Sequence, residues 1–139
     1  MLMWSYYAEG HSGVAIRFKI TREYLLEMRS ELSPIEIQYH KDFPQIDFYK
    51  ATDSELIWGI LGSKSEDWSH EAEWRLVAPN RTGYMRIPPP MIDAVILGMK
   101  IRPEHEEAIH AAIAKRKVPT ELLRIRHKPR SFQLEVVPD

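Results

Sequence analysis

The chain has 139 residues, 44% of them hydrophobic and 28% charged, with 19 basic against 20 acidic side chains. That length supports one hydrophobic core, and the net charge of −1 lacks the basic excess of a dedicated duplex nucleic-acid binder, which disfavours that partner. The absence of cysteine excludes disulfides, thiolate metal sites and cysteine nucleophiles.

The longest apolar runs, such as Ala94–Leu97, fall far short of the roughly 20 residues that a membrane span requires. The first ten residues lack the basic start and small-residue cleavage site of a secretory signal. The expectation is a soluble, cytoplasmic protein with no membrane partner.

Residues 2–9 read as a short helix closed by Gly10, with Trp4, Tyr7, Ala8 and His11 spaced to share one face. Val14–Ile20 alternates as a strand, with Val14, Ile16, Phe18 and Ile20 expected toward the core and Arg17 and Lys19 outward. Thr21 is a candidate N-cap for a helix running to about Arg29. Ile35–Tyr39 alternates as a second strand, and residues 40–49 read as loop.

Thr52 and Glu55 match a capping box, in which each side chain satisfies an orphan backbone N–H of the other. The helix they open carries Leu56, Ile57, Ile60 and Leu61 and stops at Gly62. A charged connector, residues 63–67, leads into Trp68-Ser-His-Glu-Ala-Glu-Trp-Arg75, read as a strand. Its alternation puts Glu71, Glu73 and Arg75 on one face and His70, Ala72, Trp74 and Leu76 on the other.

Asn80–Gly83 forms an expected turn, and Tyr84–Ile87 a returning hairpin arm ended by three prolines. Ala94–Leu97 reads as a buried central strand ending at Gly98. Pro103 opens a helix whose early glutamates and late lysines suit its dipole. Strands at Leu122–His127 and Ser131–Val137 close the chain. The pattern gives an α+β fold: a single domain over 1–139, with a mixed or mostly antiparallel sheet and three to four helices.

Met3-Trp4 with Tyr7-Ala8, then His11-x-Gly13-Val14 and an aliphatic strand, resemble the characteristic line of a bacterial family of unknown function. Tyr39, Lys64, Trp68, Glu71-x-Glu73-x-Arg75 and Leu97-Gly98 follow in the same order. The resemblance spans nearly the whole chain. It implies an uncharacterised bacterial domain, sometimes met in defence or mobile-element settings. Members usually carry an additional N-terminal portion, so the chain is read as a short form or as the C-terminal portion of a longer architecture.

Glu71 and Glu73 are the candidate catalytic residues. A Glu-x-Glu strand is similar to the carboxylate motif of some ADP-ribosyltransferases, and a carboxylate near an anomeric carbon can stabilise positive charge as nicotinamide leaves. The alternative is a wet strand face paired to cations across the sheet. Trp4, Tyr7, His11, Lys64 and Arg75 are the candidate ligand-binding residues: aromatics to stack on a base or nicotinamide ring, cations to meet phosphate. The alternative is that Trp4 and Tyr7 are core anchors and His11 serves backbone groups. His105 and His110 are five apart, which misses the helical i, i+4 metal pair, and no metal is expected. The basic run Arg124, Arg126, His127, Lys128 and Arg130 reads as a solvated hairpin.

Two functions therefore stand side by side. One is binding or processing of a nucleotide or NAD-like ligand at the Glu-x-Glu-x-Arg face. The other is a non-catalytic binding or interaction module in which the same residues form a structural polar network. Self-association, or a partner covering the absent N-terminal portion, is a third expectation.

Overall fold

A computed structural model describes residues 2–28, 31–78 and 82–139. Contacts divide the chain into two compact units, one of residues 1–21 with 85–139 and one of residues 22–84. Each mixes helix and strand, so the α+β class holds.

In the first unit, helix α1 (Leu2–Tyr7) leads into strand β1 (Val14–Phe18). The second unit follows with helix α2 (Arg22–Met28), strands β2 (Ser33–Glu36) and β3 (Gln38–His40), helix α3 (Asp53–Leu61), and strands β4 (Ser63–Ser65) and β5 (Trp74–Val77). The chain returns to the first unit through strand β6 (Ile92–Leu97), helix α4 (Pro103–Ala114), and strands β7 (Glu121–His127) and β8 (Leu134–Pro138).

The first unit is a four-stranded mixed sheet in the order β1-β6-β7-β8. Strands β6 and β7 are parallel neighbours, which no tight turn can join, and α4 is the crossover between them. As expected, β6 is central: Ala94 and Leu97 are fully enclosed, and Ile125 of β7 joins them in the core.

Gly98, directly after β6, is where the chain's start locks onto the sheet. Its N–H donates to the Gly13 carbonyl (3.0 Å), and the Lys100 N–H donates to the His11 carbonyl (2.9 Å). A β-carbon at position 98 would lie 2.2 Å from the His11 oxygen and 2.7 Å from the Gly13 oxygen, so only glycine fits.

Strand β1 departs from expectation. Val14, Ile16, Phe18 and Ile20 are 41–49% exposed rather than buried. The cause is position: β1 lies at the end of the sheet order, with only β6 beside it. Alternation reports which residues share a side, not what covers that side.

In the second unit the expected strand at 35–39 is divided between two sheets. β2 pairs antiparallel with β5, and β3 pairs parallel with β4. The switch falls at residues 37 and 38: the Ile37 N–H goes to the Glu73 carbonyl (3.1 Å) and the Gln38 N–H to the Gly62 carbonyl (2.7 Å). Alternation survives the switch, with Ile35 and Ile37 buried. The capping box forms as read: Thr52 Oγ1 accepts from the Glu55 N–H (3.3 Å), and Glu55 Oε2 accepts from the Thr52 N–H (2.7 Å). Gly62 caps the C-terminus of α3 through the Trp58 carbonyl.

The hairpin arm expected at Tyr84–Ile87 is not a strand: residues 84–88 carry neither helix nor strand. The alternation there is short, and the prolines that follow cannot donate to a ladder. Asn80 and Arg81 of its expected turn, and the Arg29 end of α2, lie outside the described residues. No described helix is long and apolar enough to cross a membrane.

Gly98→Ala tests the junction after β6. Overpacking against two carbonyl oxygens should cost about 1–3 kcal/mol, read as a lowered melting temperature; a melting temperature equal to the native one would contradict the tight junction.

Candidate functional site

The stretch from Trp68 to Arg75 is not one strand. Residues Glu66–Glu71 form a 3-10 helix, capped by Ser65 Oγ accepting from the Asp67 N–H, and Ala72 follows in the left-handed conformation at φ 46°. Strand β5 begins only at Trp74. Glu71 and Glu73 are therefore not brought together by pleat alternation. The left-handed turn at Ala72 swings both carboxylates onto one ammonium, that of Lys64.

Lys64 donates to Glu71 Oε2 and, at 2.9 Å, to Glu73 Oε2. Arg75 closes on the same carboxylate, with Nε donating to Glu73 Oε1 at 2.5 Å and Nη2 to Oε2 at 3.3 Å. Its Nη1 donates to the Leu61 carbonyl at the end of α3 (2.6 Å). Tyr39, the register partner of Lys64 across the β3–β4 pair, accepts the Glu73 N–H on its hydroxyl at 2.8 Å. The Trp68 ring lies 5.2 Å from the ammonium, a cation–π distance, and stacks in turn on His70.

Six of the residues that carry the family resemblance thus form one cluster: Tyr39, Lys64, Trp68, Glu71, Glu73 and Arg75. Two cations face two anions, so its formal charge is balanced. The Glu71 side chain is 4% exposed and that of Lys64 18%, so these charges have lost most of their water. Buried ions are held only when each has partners, and here each does.

The electrostatics follow from this geometry. Hydrogen bonds from Arg75 first, and then Lys64, hold the Glu73 carboxyl at about 2, well below its ordinary 4.5. Bonds to Glu71 and then Glu73 raise the Lys64 ammonium above its ordinary range. Glu73 is an anion whose two oxygens already accept from cations.

Trp4, Tyr7 and His11, the other residues expected at the site, lie in the first unit. His11 is buried at φ 76°, its Nε2 lying 3.2 Å from Ser5 Oγ. Burial first, then the charges of Lys100 and His127, lower its pKa and keep the ring neutral near pH 7. Trp4 and Tyr7 border a shallow cavity of about 170 Å³ with Met3, Ala8, Val14 and Ala15, and His11 is not part of its lining.

Sequence reasoning missed the cavity beside the cluster. A space of about 240 Å³ is lined by His40, Lys41, Phe43, Ile60, Lys64 and Ser65, among others. His40 and Lys41 had no interpretable spacing because α3 separates them in sequence from Lys64. The parallel β3–β4 pair brings them together. His70, expected opposite the glutamates on a strand, instead contacts the Asp67 carbonyl through Nδ1 at 3.1 Å within the 3-10 helix.

Glu73→Gln should lower stability by about 1–3 kcal/mol, the range for losing hydrogen bonds to a charged group. The pH dependence has a fixed sign. With a folded pKa of about 2 against 4.5 for the free carboxyl, the Glu73 contribution is complete above pH 4.5 and lost as pH falls toward 2. Denaturant melts across that interval should fall less steeply for Glu73→Gln than for the native chain.

No curated protein and no solved structure matches the chain. A family model does match, over residues 3–76, a span that includes α1 from Met3 on, β1 and every residue of the Lys64 cluster. The chain belongs to that family, DUF2971, a family of proteins of unknown function.

Proposed function

We propose that the chain is a non-catalytic binding module, in which the Glu-x-Glu-x-Arg residues hold Lys64 at the border of a cavity for a small anionic, nucleotide-like ligand. The observation that carries this reading is the double role of Lys64, which anchors both glutamates and also borders the cavity that His40, Lys41 and Phe43 line. Lys41 and His40 offer charge and N–H donors to a phosphate or carboxylate, beside the one carboxylate of the lining, Asp42. Phe43, with Ile60, offers an apolar face to a base.

A transferase-like role for Glu73 has less support. A carboxylate that holds a ribose or stabilises a developing cation needs an oxygen directed at the substrate. Both oxygens of Glu73 accept from Arg75 and Lys64, and the Glu71 side chain is almost wholly enclosed. The cavity, at about 240 Å³, lies below the roughly 300–1,000 Å³ of ordinary ligand clefts, which suits a mononucleotide portion better than a whole dinucleotide.

Isothermal titration with AMP, ADP-ribose and NAD tests the reading. Saturable binding of at least one, weakened about tenfold by Lys41→Ala as a charge-assisted bond is lost, is the expected result. The melting temperature of the unliganded Lys41→Ala protein should match the native one. Failure of all three ligands to bind, or identical affinity in Lys41→Ala, would remove the cavity from the account.

A further inference from the structure

We propose that Glu106, His110 and Asp139 form a binding site for a divalent first-row transition metal, independent of the cavity beside Lys64. Glu106 and His110 are four apart on α4, the spacing that puts two side chains on one helix face. Asp139 reaches the same place from the end of the last strand. Its position is fixed by its own backbone N–H, which donates to the Leu122 carbonyl at 3.1 Å.

One donor atom from each of the three residues lies within 4.8 Å of the others. His110 Nε2 is 3.4 Å from Asp139 Oδ2 and 3.9 Å from Glu106 Oε1. Two donors bound at about 2.0 Å to a tetrahedral zinc are about 3.3 Å apart; the His110–Asp139 pair already has that spacing, and Glu106 must move inward for all three to close on an ion. One imidazole nitrogen with two carboxylate oxygens is a donor set for zinc or a neighbouring divalent metal, and three protein ligands leave a coordination position open.

Arg124 completes the arrangement from behind. Its Nε donates to Asp139 Oδ1 at 2.5 Å, and its Nη2 donates to Glu106 Oε1. The guanidinium thus orients both carboxylates, the part an outer-shell partner plays around a metal: it leaves Asp139 Oδ2 directed at His110, while on Glu106 it bonds the same Oε1 that faces His110. Two carboxylates against one guanidinium leave a net negative charge for a divalent cation to offset. The Asp139 side chain is only 11% exposed, whereas His110 is 52% exposed, so the site is anchored on one side and open on the other.

The test is titration of the chelator-treated full chain with Zn²⁺ near neutral pH, followed by calorimetry and by thermal shift. The expected result is one equivalent bound with a raised melting temperature, and at least about tenfold weaker binding in His110→Ala. His105→Ala, on the same helix but outside the donor set, should bind like the native chain. His110 is half exposed, so its alanine variant should melt like the native protein without metal. Zinc isotherms that superimpose for the native chain and His110→Ala, or no saturable binding up to roughly 100 μM zinc, would overturn the proposal.

Discussion

An ammonium group stripped of most of its water must be surrounded by acceptors or it will not stay folded away. Lys64 meets that requirement with two glutamates that lie seven and nine residues further on, and the local backbone is shaped by the need to reach it. A straight strand through residues 68–75 would send Glu71 and Glu73 along the sheet at the spacing of a pleat. The chain instead coils as a 3-10 helix, reverses through a left-handed alanine and only then becomes a strand. The left-handed state costs an ordinary L-residue on the order of 1–2 kcal/mol. Arg75 of β5 then ties the same cluster to the end of α3, and Tyr39 ties it to β3, so these elements, β4 and the 3-10 helix share one polar centre.

The first unit depends on a steric constraint rather than on charge. The two carbonyls of the turn after α1 approach the backbone after β6 so closely that no β-carbon is tolerated there. The left-handed residues Glu9, Gly10 and His11 make that approach feasible, and His11 is enclosed as a consequence. Histidine and glycine in the first motif and glycine in the last thus meet in one joint.

Much of this was legible in the residues. The capping box at Thr52, the buried strand before Gly98, the proline-opened helix α4 and the closing hairpin all follow from local chemistry acting within a few residues. The α+β class followed from these. Three features were not legible, the first two for non-local reasons. The exposure of Val14, Ile16 and Phe18 depends on which strand stands at the sheet edge, and alternation carries no such information. The division of residues 33–40 between two sheets depends on distant carbonyls at Glu73 and Gly62. The turn at Ala72 had a faint local signal, since Ser65 followed by Glu66 and Asp67 is a helix-start pattern, but alternating charge over residues 70–76 outweighed it. The grouping of Lys64, Glu71, Glu73 and Arg75 was anticipated from the resemblance, whereas their mutual bonding required the turn. The donor set on α4 was hidden because Asp139 lies far along the chain from His110.

The Lys64 cluster is a framework whose charges share partners: one ammonium serves two carboxylates, and one of those carboxylates also takes Arg75. A double-mutant cycle of Lys64→Met and Glu71→Gln, read as unfolding free energy in denaturant, measures directly how far those charges depend on one another. Each single change leaves a charged group short of its partner, and both together remove the demand. The predicted coupling exceeds about 1 kcal/mol, the double variant being more stable than the sum of the single losses implies. Losses that add to within about 0.3–0.5 kcal/mol would contradict the framework and return the glutamates to consideration as free functional groups.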